Sequence, residues 1–181
     1  MWNVLWFSVL LTIANSVFVV EINKLFKPCP HSSKNFATFP WNLTGVRLFL
    51  SEDEKLILDG QFTVIRDIYP PLGLVIYTQK QDKGEWRPTP YGRHVLNFCS
   101  VMLSSGDIWY PITKHMNRTT CPLRKGHLET FDMVELESFG FDDVLPDLVG
   151  EWRVFVETSL GPMPHKVQVS CIMNEISILE H

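Results

Sequence analysis

The chain has 181 residues, a formal net charge of −4 and a sequence pI near 5.8. It lacks the dense stripe of Lys and Arg that neutralises phosphates, which argues against a nucleic-acid partner. Twelve Phe against four Tyr tilt its aromatic content towards apolar contact.

The N-terminal segment resembles a secretion signal. Its first residues are mostly apolar, and the first charged side chain is Glu21. Ala14-Asn15-Ser16 supplies the small-x-small pattern that signal peptidase accepts, so we predict a signal peptide over residues 1–16, cleaved after Ser16. A transmembrane anchor is the alternative, and the shortness of the apolar run disfavours it. We expect residues 17–181 to form a single secreted domain, since roughly 165 residues suit one hydrophobic core.

Four cysteines follow the predicted signal peptide: Cys29, Cys99, Cys121 and Cys171. An even number in this context indicates two disulfides, for which three connectivities are possible. We predict a local Cys99–Cys121 bond and a Cys29–Cys171 bond that ties the two ends together. No CxxC pair occurs and no His lies at metal-ligand spacing beside a Cys, so we expect no metal and no cofactor.

Two N-glycosylation sequons are present, Asn42-Leu43-Thr44 and Asn117-Arg118-Thr119. If Asn42 and Asn117 carry glycans, both must lie on the surface.

The dominant hydrophobic period along the chain is two, which is typical of half-buried β-strands. It predicts strands over residues 46–50, 55–65, 73–78, 127–139, 152–157 and 166–171. Pro70-Pro71, Asp82-Lys83-Gly84 and Gly161-Pro162 read as breaks or turns between them, the last in a C-terminal hairpin. The one helix that the spacing favours covers residues 93–103.

Six to eight strands separated by turns predict an all-β protein, a sandwich of two antiparallel sheets with one short helix or loop. Several strands are apolar on the face that should be wet, at Ile57, Ile65, Val75 and Phe155. Imperfect alternation is one explanation. The other is that the sheets have separated to hold something apolar.

Motifs in the central and C-terminal parts of the chain resemble the chemosensory B-type (CheB) secreted proteins of insects. The resemblance covers roughly residues 43–176. It rests on Trp86-Arg87-Pro88-Thr89, Phe98-Cys99-Ser100-Val101-Met102, Trp109-Tyr110, Thr113-Lys114-His115, Cys121-Pro122 and Gly150-Glu151-Trp152-Arg153.

The resemblance implies a fold similar to ML-type lipid-recognition proteins and the ganglioside-activator protein, an immunoglobulin-type sandwich with an apolar inter-sheet cavity. It implies a carrier or presenter of a lipid or cuticular-hydrocarbon pheromone, with a hydrophobic small molecule as partner and a receptor or lipid surface as destination. We expect a monomer. The residues expected to line the cavity are Phe62, Val64, Leu74, Ile76, Phe98, Trp109, Phe131, Trp152, Val154 and Val167.

Aromatic and basic residues between positions 86 and 115 are candidates for the mouth of such a cavity. Trp86, Trp109 and Tyr110 suit an edge because each ring has an apolar body and a polar tip. Lys114 and His115 would there meet an anionic headgroup; the alternative is that they are simply solvated.

Catalytic patterns are missing from the sequence. It contains no HExxH, no G-x-S-x-G elbow and no glycine-rich phosphate loop. Asp142-Asp143 is a paired carboxylate by position only, since adjacent loop residues point apart. We therefore expect no enzyme activity. The competing hypothesis is an extracellular protein-interaction module with a filled core and an exposed apolar patch.

Overall fold

The computed structural model describes residues 18–30, 38–53, 55–136, 146–161 and 168–180. Within them the protein is all-β, and the prediction of two antiparallel sheets is confirmed. The strands are β1 (Phe18–Pro28), β2 (Trp41–Leu50), β3 (Leu56–Val64), β4 (Leu72–Asp82), β5 (Glu85–Val95), β6 (Leu128–Glu135), β7 (Gly150–Leu160) and β8 (Gln168–Glu180). The predicted signal peptide, the Asp142-Asp143 pair and Val167 lie outside the described residues.

The two sheets divide the chain unequally. The larger has the strand order β1-β8-β7-β4-β5, and the smaller has the order β2-β3-β6. The chain crosses from the smaller to the larger sheet between Val64 and Leu72, and Ile68 on this crossing pairs with Leu123.

Two predicted features of the larger sheet are confirmed. The pairing of β7 with β8 forms the C-terminal hairpin, and β4 joins β5 through the two-residue turn Lys83-Gly84. Both turn residues have positive φ, 51° and 86°. Tight hairpin turns favour that conformation because its twist matches the twist of the flanking strands.

The helix predicted over residues 93–103 is wrong. Arg93 and Val95 belong to β5, where they pair with Ile76 and Leu74 of β4. After β5 only one 3-10 turn forms, Phe98–Ser100, and the short helix α1 (Tyr110–Thr113) comes later. The apolar spacing misled because it combined inward side chains from the end of a strand and from an irregular segment.

Both predicted disulfides are present. Cys29 is bonded to Cys171 and Cys99 to Cys121, each pair with Cα atoms 5.7 Å apart. The first bond joins the end of β1 to its sheet neighbour β8, and the other two connectivities are excluded.

The smaller sheet contains a close approach between two backbones. Gly60 has a φ of +100°, and a Cβ at this position would lie 2.0 Å from the Gly45 carbonyl oxygen. Only glycine fits this part of β3 without moving β2.

For Phe155, one of the apolar residues predicted on the solvent-facing side of a strand, the structure gives a local explanation. Phe155 lies on the outer face of the larger sheet, where its ring stacks on Tyr77 with centroids 4.8 Å apart. Together with Cys29, Cys171 and Met173 it forms a small outer cluster. Its burial therefore needs no separation of the sheets.

Candidate ligand-binding site between the sheets

The inner face of the larger sheet can be assigned from strand register. β7 pairs with both neighbours without a register shift, and successive side chains point to opposite faces. Val156 is the partner of Ile76, and Trp152 is the partner of Ile176. Val154 lies between them on the same face.

Burial along this face is lowest in the middle of β4 and β7. Leu72 and Leu160, at one end, are 0% and 9% exposed, and Trp152, towards the other, is 5% exposed. Between these ends Val154, Val156 and Ile76 are only partly buried, whereas Ile172, opposite Val156 on β8, is 9% exposed. In a filled sandwich the central inward positions are expected to be the driest.

On the smaller sheet most inward residues of the central strand β3 are buried, and the partly exposed ones lie mainly on its two neighbours. Leu58, Phe62 and Phe131 are buried. The apolar residues packed around them are only partly buried, and they include Leu43, Val46, Leu48, Leu56 and Val134.

The apolar clusters show where the sheets are joined. One cluster contains buried residues from both sheets, among them Val64 of β3 and Leu72, Leu74 and Leu160 of the larger sheet. A second cluster, around Phe62 and Phe131, has buried residues only in the smaller sheet and the residue after it. A third, Trp152 with Ile178, belongs to the larger sheet. Away from the joint cluster, each sheet therefore carries apolar packing of its own.

Residues 96–127, which connect β5 to β6 and which we call the cap, close the end where the joint cluster lies. Met102 and Leu123 are each 1% exposed. Trp109 packs edge-on against Phe98 with ring centroids 5.2 Å apart, and its indole N–H donates to the Val101 carbonyl at 3.0 Å. The cap therefore has a packed interior, and the Cys99–Cys121 disulfide cross-links it.

A buried carboxylate anchors the cap to β6. Glu129 is fully buried, and its oxygens accept hydrogen bonds from the backbone N–H groups of Asn117 at 2.7 Å and Arg118 at 2.9 Å. His127 Nε2 lies 2.6 Å from the same carboxylate. Sequence analysis did not single out Glu129, because one acidic residue in a strand carries no signal about partners in an earlier loop.

The predicted cavity residues fall into separate groups. Val64, Leu74, Phe98 and Trp109 are buried in the joint cluster, and Ile76 packs against it. Phe62 and Phe131 belong to the smaller sheet's cluster, with ring centroids 6.0 Å apart. Trp152 donates its indole N–H to the Leu148 carbonyl at 2.7 Å. Val154 is an inward, partly exposed residue, and Val167 lies outside the described residues.

Sequence analysis missed several inward, partly exposed residues, among them Val46, Leu48, Val156 and Ile176. Alternation in residues 46–50 and 152–157 was recognised, so the signal was present. In the segments that form β1 and β5 no alternation was recognised, so neither was predicted as a strand.

The candidate rim residues lie apart from one another. Trp86 is on the outer face of the larger sheet, where the Arg153 guanidinium lies 4.0 Å from its ring centroid. Trp109 is 7% exposed and belongs to the core of the cap. Lys114 Nζ lies 5.8 Å from the ring centroid of Tyr110, and His115 is exposed. Both sequon asparagines, Asn42 and Asn117, are exposed as their use would require.

Comparison with known proteins gives no family assignment. A scan of family models found no match to this chain, and a search of curated proteins found none either. The resemblance to insect chemosensory B-type proteins stays a prediction. In the described ranges, no helix is both long enough and apolar enough to span a bilayer. The two disulfides fit an extracellular protein.

Proposed function

We propose that the protein is a secreted binding protein that carries or presents an apolar ligand, a lipid or a hydrocarbon, between its two sheets. The observation that supports this is the division of the apolar clusters. The sheets share one cluster at the cap end, and beyond it inward residues such as Val154 and Val46 are only partly buried on both sheets.

The energetics favour an apolar occupant. Each inward aliphatic side chain that is left partly exposed forfeits part of the roughly 1.5–3 kcal/mol that full burial contributes. A ligand lying against these residues restores that burial. The described polar groups nearby on this face include Asn174, whose side-chain oxygen already accepts from the Phe26 N–H at 2.9 Å.

The resemblance adds the biological context of the proposal. If the chain is related to insect chemosensory B-type proteins, the ligand is a lipid or a cuticular-hydrocarbon pheromone and the setting is chemosensation. The predicted signal peptide and the two disulfides support secretion.

An interaction module is the second candidate, favoured by exposed apolar residues on the cap. Leu96, Leu103 and Ile108 are 76%, 51% and 46% exposed. Exposed apolar side chains grouped in one segment are typical of contact surfaces. This candidate predicts a filled core between the sheets and no bound ligand.

Native mass spectrometry and organic extraction of the secreted protein from insect cells distinguish the two candidates. A carrier shows additional mass that extraction recovers as apolar molecules, and it takes up a fluorescent fatty acid. Protein that is consistently empty and takes up neither the fluorescent fatty acid nor a long-chain hydrocarbon refutes the carrier function.

A pair of matched variants tests the location of the ligand. Val154→Phe adds a ring to the inner face of the larger sheet, and Val75→Phe makes the same change on the outer face. We expect Val154→Phe to weaken fatty-acid uptake by about tenfold, the scale that small changes of pocket shape produce. Val75→Phe should bind as the wild type does. Equal binding by both variants would place the ligand elsewhere.

A further inference from the structure

A pocket lies where the chain crosses from β3 to β4, beside the ends of β7 and β8. Its volume is about 280 Å³. Among the described residues, none of those predicted to line the inter-sheet cavity lines it. Its lining includes Arg66, Tyr69, Pro70, Pro71, Leu160 and Gln168.

Arg66 is the unusual residue of this pocket because, among the residues that the structure describes, its charge has only neutral partners. One terminal nitrogen donates to the Gln168 side-chain oxygen at 2.5 Å, and the other donates to the Thr38 carbonyl at 2.7 Å. The Nε atom is buried and has no hydrogen-bond acceptor. Among the ion pairs of the described residues, none includes Arg66.

The neighbouring carboxylate of Asp67 also lines the pocket, but it is engaged elsewhere. It accepts from the Lys125 backbone N–H at 2.7 Å and lies 3.2 Å from the Arg124 guanidinium. The Lys125 N–H, followed by the Arg124 and Tyr69 contacts, holds the pKa of Asp67 below its ordinary value. Asp67 is therefore balanced by Arg124, and Arg66 remains the uncompensated charge of the cluster.

This environment favours the binding of an anion beside Arg66. Burial lowers the pKa of the Arg66 guanidinium from its ordinary value, although arginine stays charged in proteins. A partly desolvated cation with only neutral acceptors is stabilised when an anion approaches, and carboxylates match the planar fork of arginine.

Much of the remaining pocket wall is apolar and suits the hydrocarbon part of a ligand. Pro70, Pro71 and Leu160 supply aliphatic surface, and the Tyr69 ring supplies an aromatic wall. A volume near 280 Å³ lies just below the roughly 300–1,000 Å³ of pockets that hold drug-sized ligands, so it suits only a small organic molecule.

We propose that this pocket binds a small organic carboxylate, with Arg66 as the charge partner and Pro70, Pro71 and Leu160 packed against its apolar body. Apart from Leu160, the described residues that line this pocket lie outside the joint cluster, and the proposal does not depend on the carrier function.

Phenylacetate is a suitable probe, and amide chemical shifts of the full disulfide-bonded protein are the readout. We expect saturable shifts at Tyr69, Gly161 and Gln168 that weaken as salt is added. Phenylacetamide, which has the same shape without the charge, and inorganic phosphate, which has charge without the apolar body, should both bind at least about tenfold more weakly.

Variants assign the charge. Arg66→Gln should weaken phenylacetate binding by about tenfold or more. Arg87→Gln, which removes one positive charge from exposed β5, should leave it unchanged. If the wild type shows no saturable shifts at the pocket residues, the proposal is overturned. It is also overturned if Arg66→Gln binds phenylacetate with wild-type affinity. Equal binding of phenylacetamide or phosphate overturns the carboxylate assignment. If Arg66→Gln does not fold, the wild-type shift map and the two comparison compounds decide.

Discussion

The buried carboxylate of Glu129 is the best place to test how the cap is held. Replacing it in Glu129→Ala leaves the backbone N–H groups of Asn117 and Arg118 without their acceptor. A hydrogen bond to a charged group contributes about 1.5–3 kcal/mol, so losing two should lower the free energy of unfolding by about 3–6 kcal/mol. That is a large share of the roughly 5–15 kcal/mol typical of a domain.

Urea unfolding followed by tryptophan fluorescence measures this loss. Glu129→Gln keeps one acceptor oxygen and should lie between the wild type and Glu129→Ala. Glu135→Ala is the control on the same strand, because the Glu135 side chain is 54% exposed and pairs only with exposed Lys55. Hydrogen exchange should show the Asn117 and Arg118 amides losing protection in Glu129→Ala. An unfolding midpoint for Glu129→Ala no lower than that of Glu135→Ala would refute this account of the cap.

Two further predictions concern pH. Burial and the hydrogen bond to Glu157 raise the pKa of Tyr77 to about 12, so its contribution to stability is complete below its ordinary pKa of 10.0 and is lost as pH rises towards 12. An absorbance titration at 295 nm should show a phase near 12 that disappears in Tyr77→Phe; a phase that persists contradicts the assignment. The Lys24 ammonium, 2.5 Å away, is the main group that lowers the pKa of Glu175, so its contribution is present above the ordinary value of 4.5 and is lost as pH falls through the lowered value. Urea midpoints measured against pH should therefore fall less steeply in acid for Glu175→Gln, and an unchanged slope would assign the acid sensitivity to other groups.

Local patterns in the sequence were sufficient for much of the fold. Alternation across residues 55–65 predicts β3, although Ile57 interrupts it, and Asp82-Lys83-Gly84 predicts a tight turn because Gly84 tolerates positive φ. The cysteine pairs followed from secretion and position along the chain.

The missed elements depend on contacts that local patterns do not contain. β5 carries Pro88 and Pro90, which usually argue against a strand; they are tolerated because β5 is an edge strand with one neighbour. The role of Glu129 depends on backbone groups that lie in the cap before it. The uncompensated charge of Arg66 depends on Thr38 and Gln168, which come from distant parts of the chain.

The pairing of the first and last described strands determines how the protein responds to mechanical force. β1 and β8 are antiparallel, with Phe18 opposite Glu180 at the outer end and Pro28 opposite Ile172 near the Cys29–Cys171 bond. A pull applied at Phe18 and Glu180 breaks this ladder one pair at a time, and each step needs little force. β8 keeps its pairing with β7, so peeling residues 18–28 alone releases roughly 35–40 Å of chain at full extension. The disulfide then carries the load covalently, and the sandwich behind it is shielded from tension until that bond is reduced.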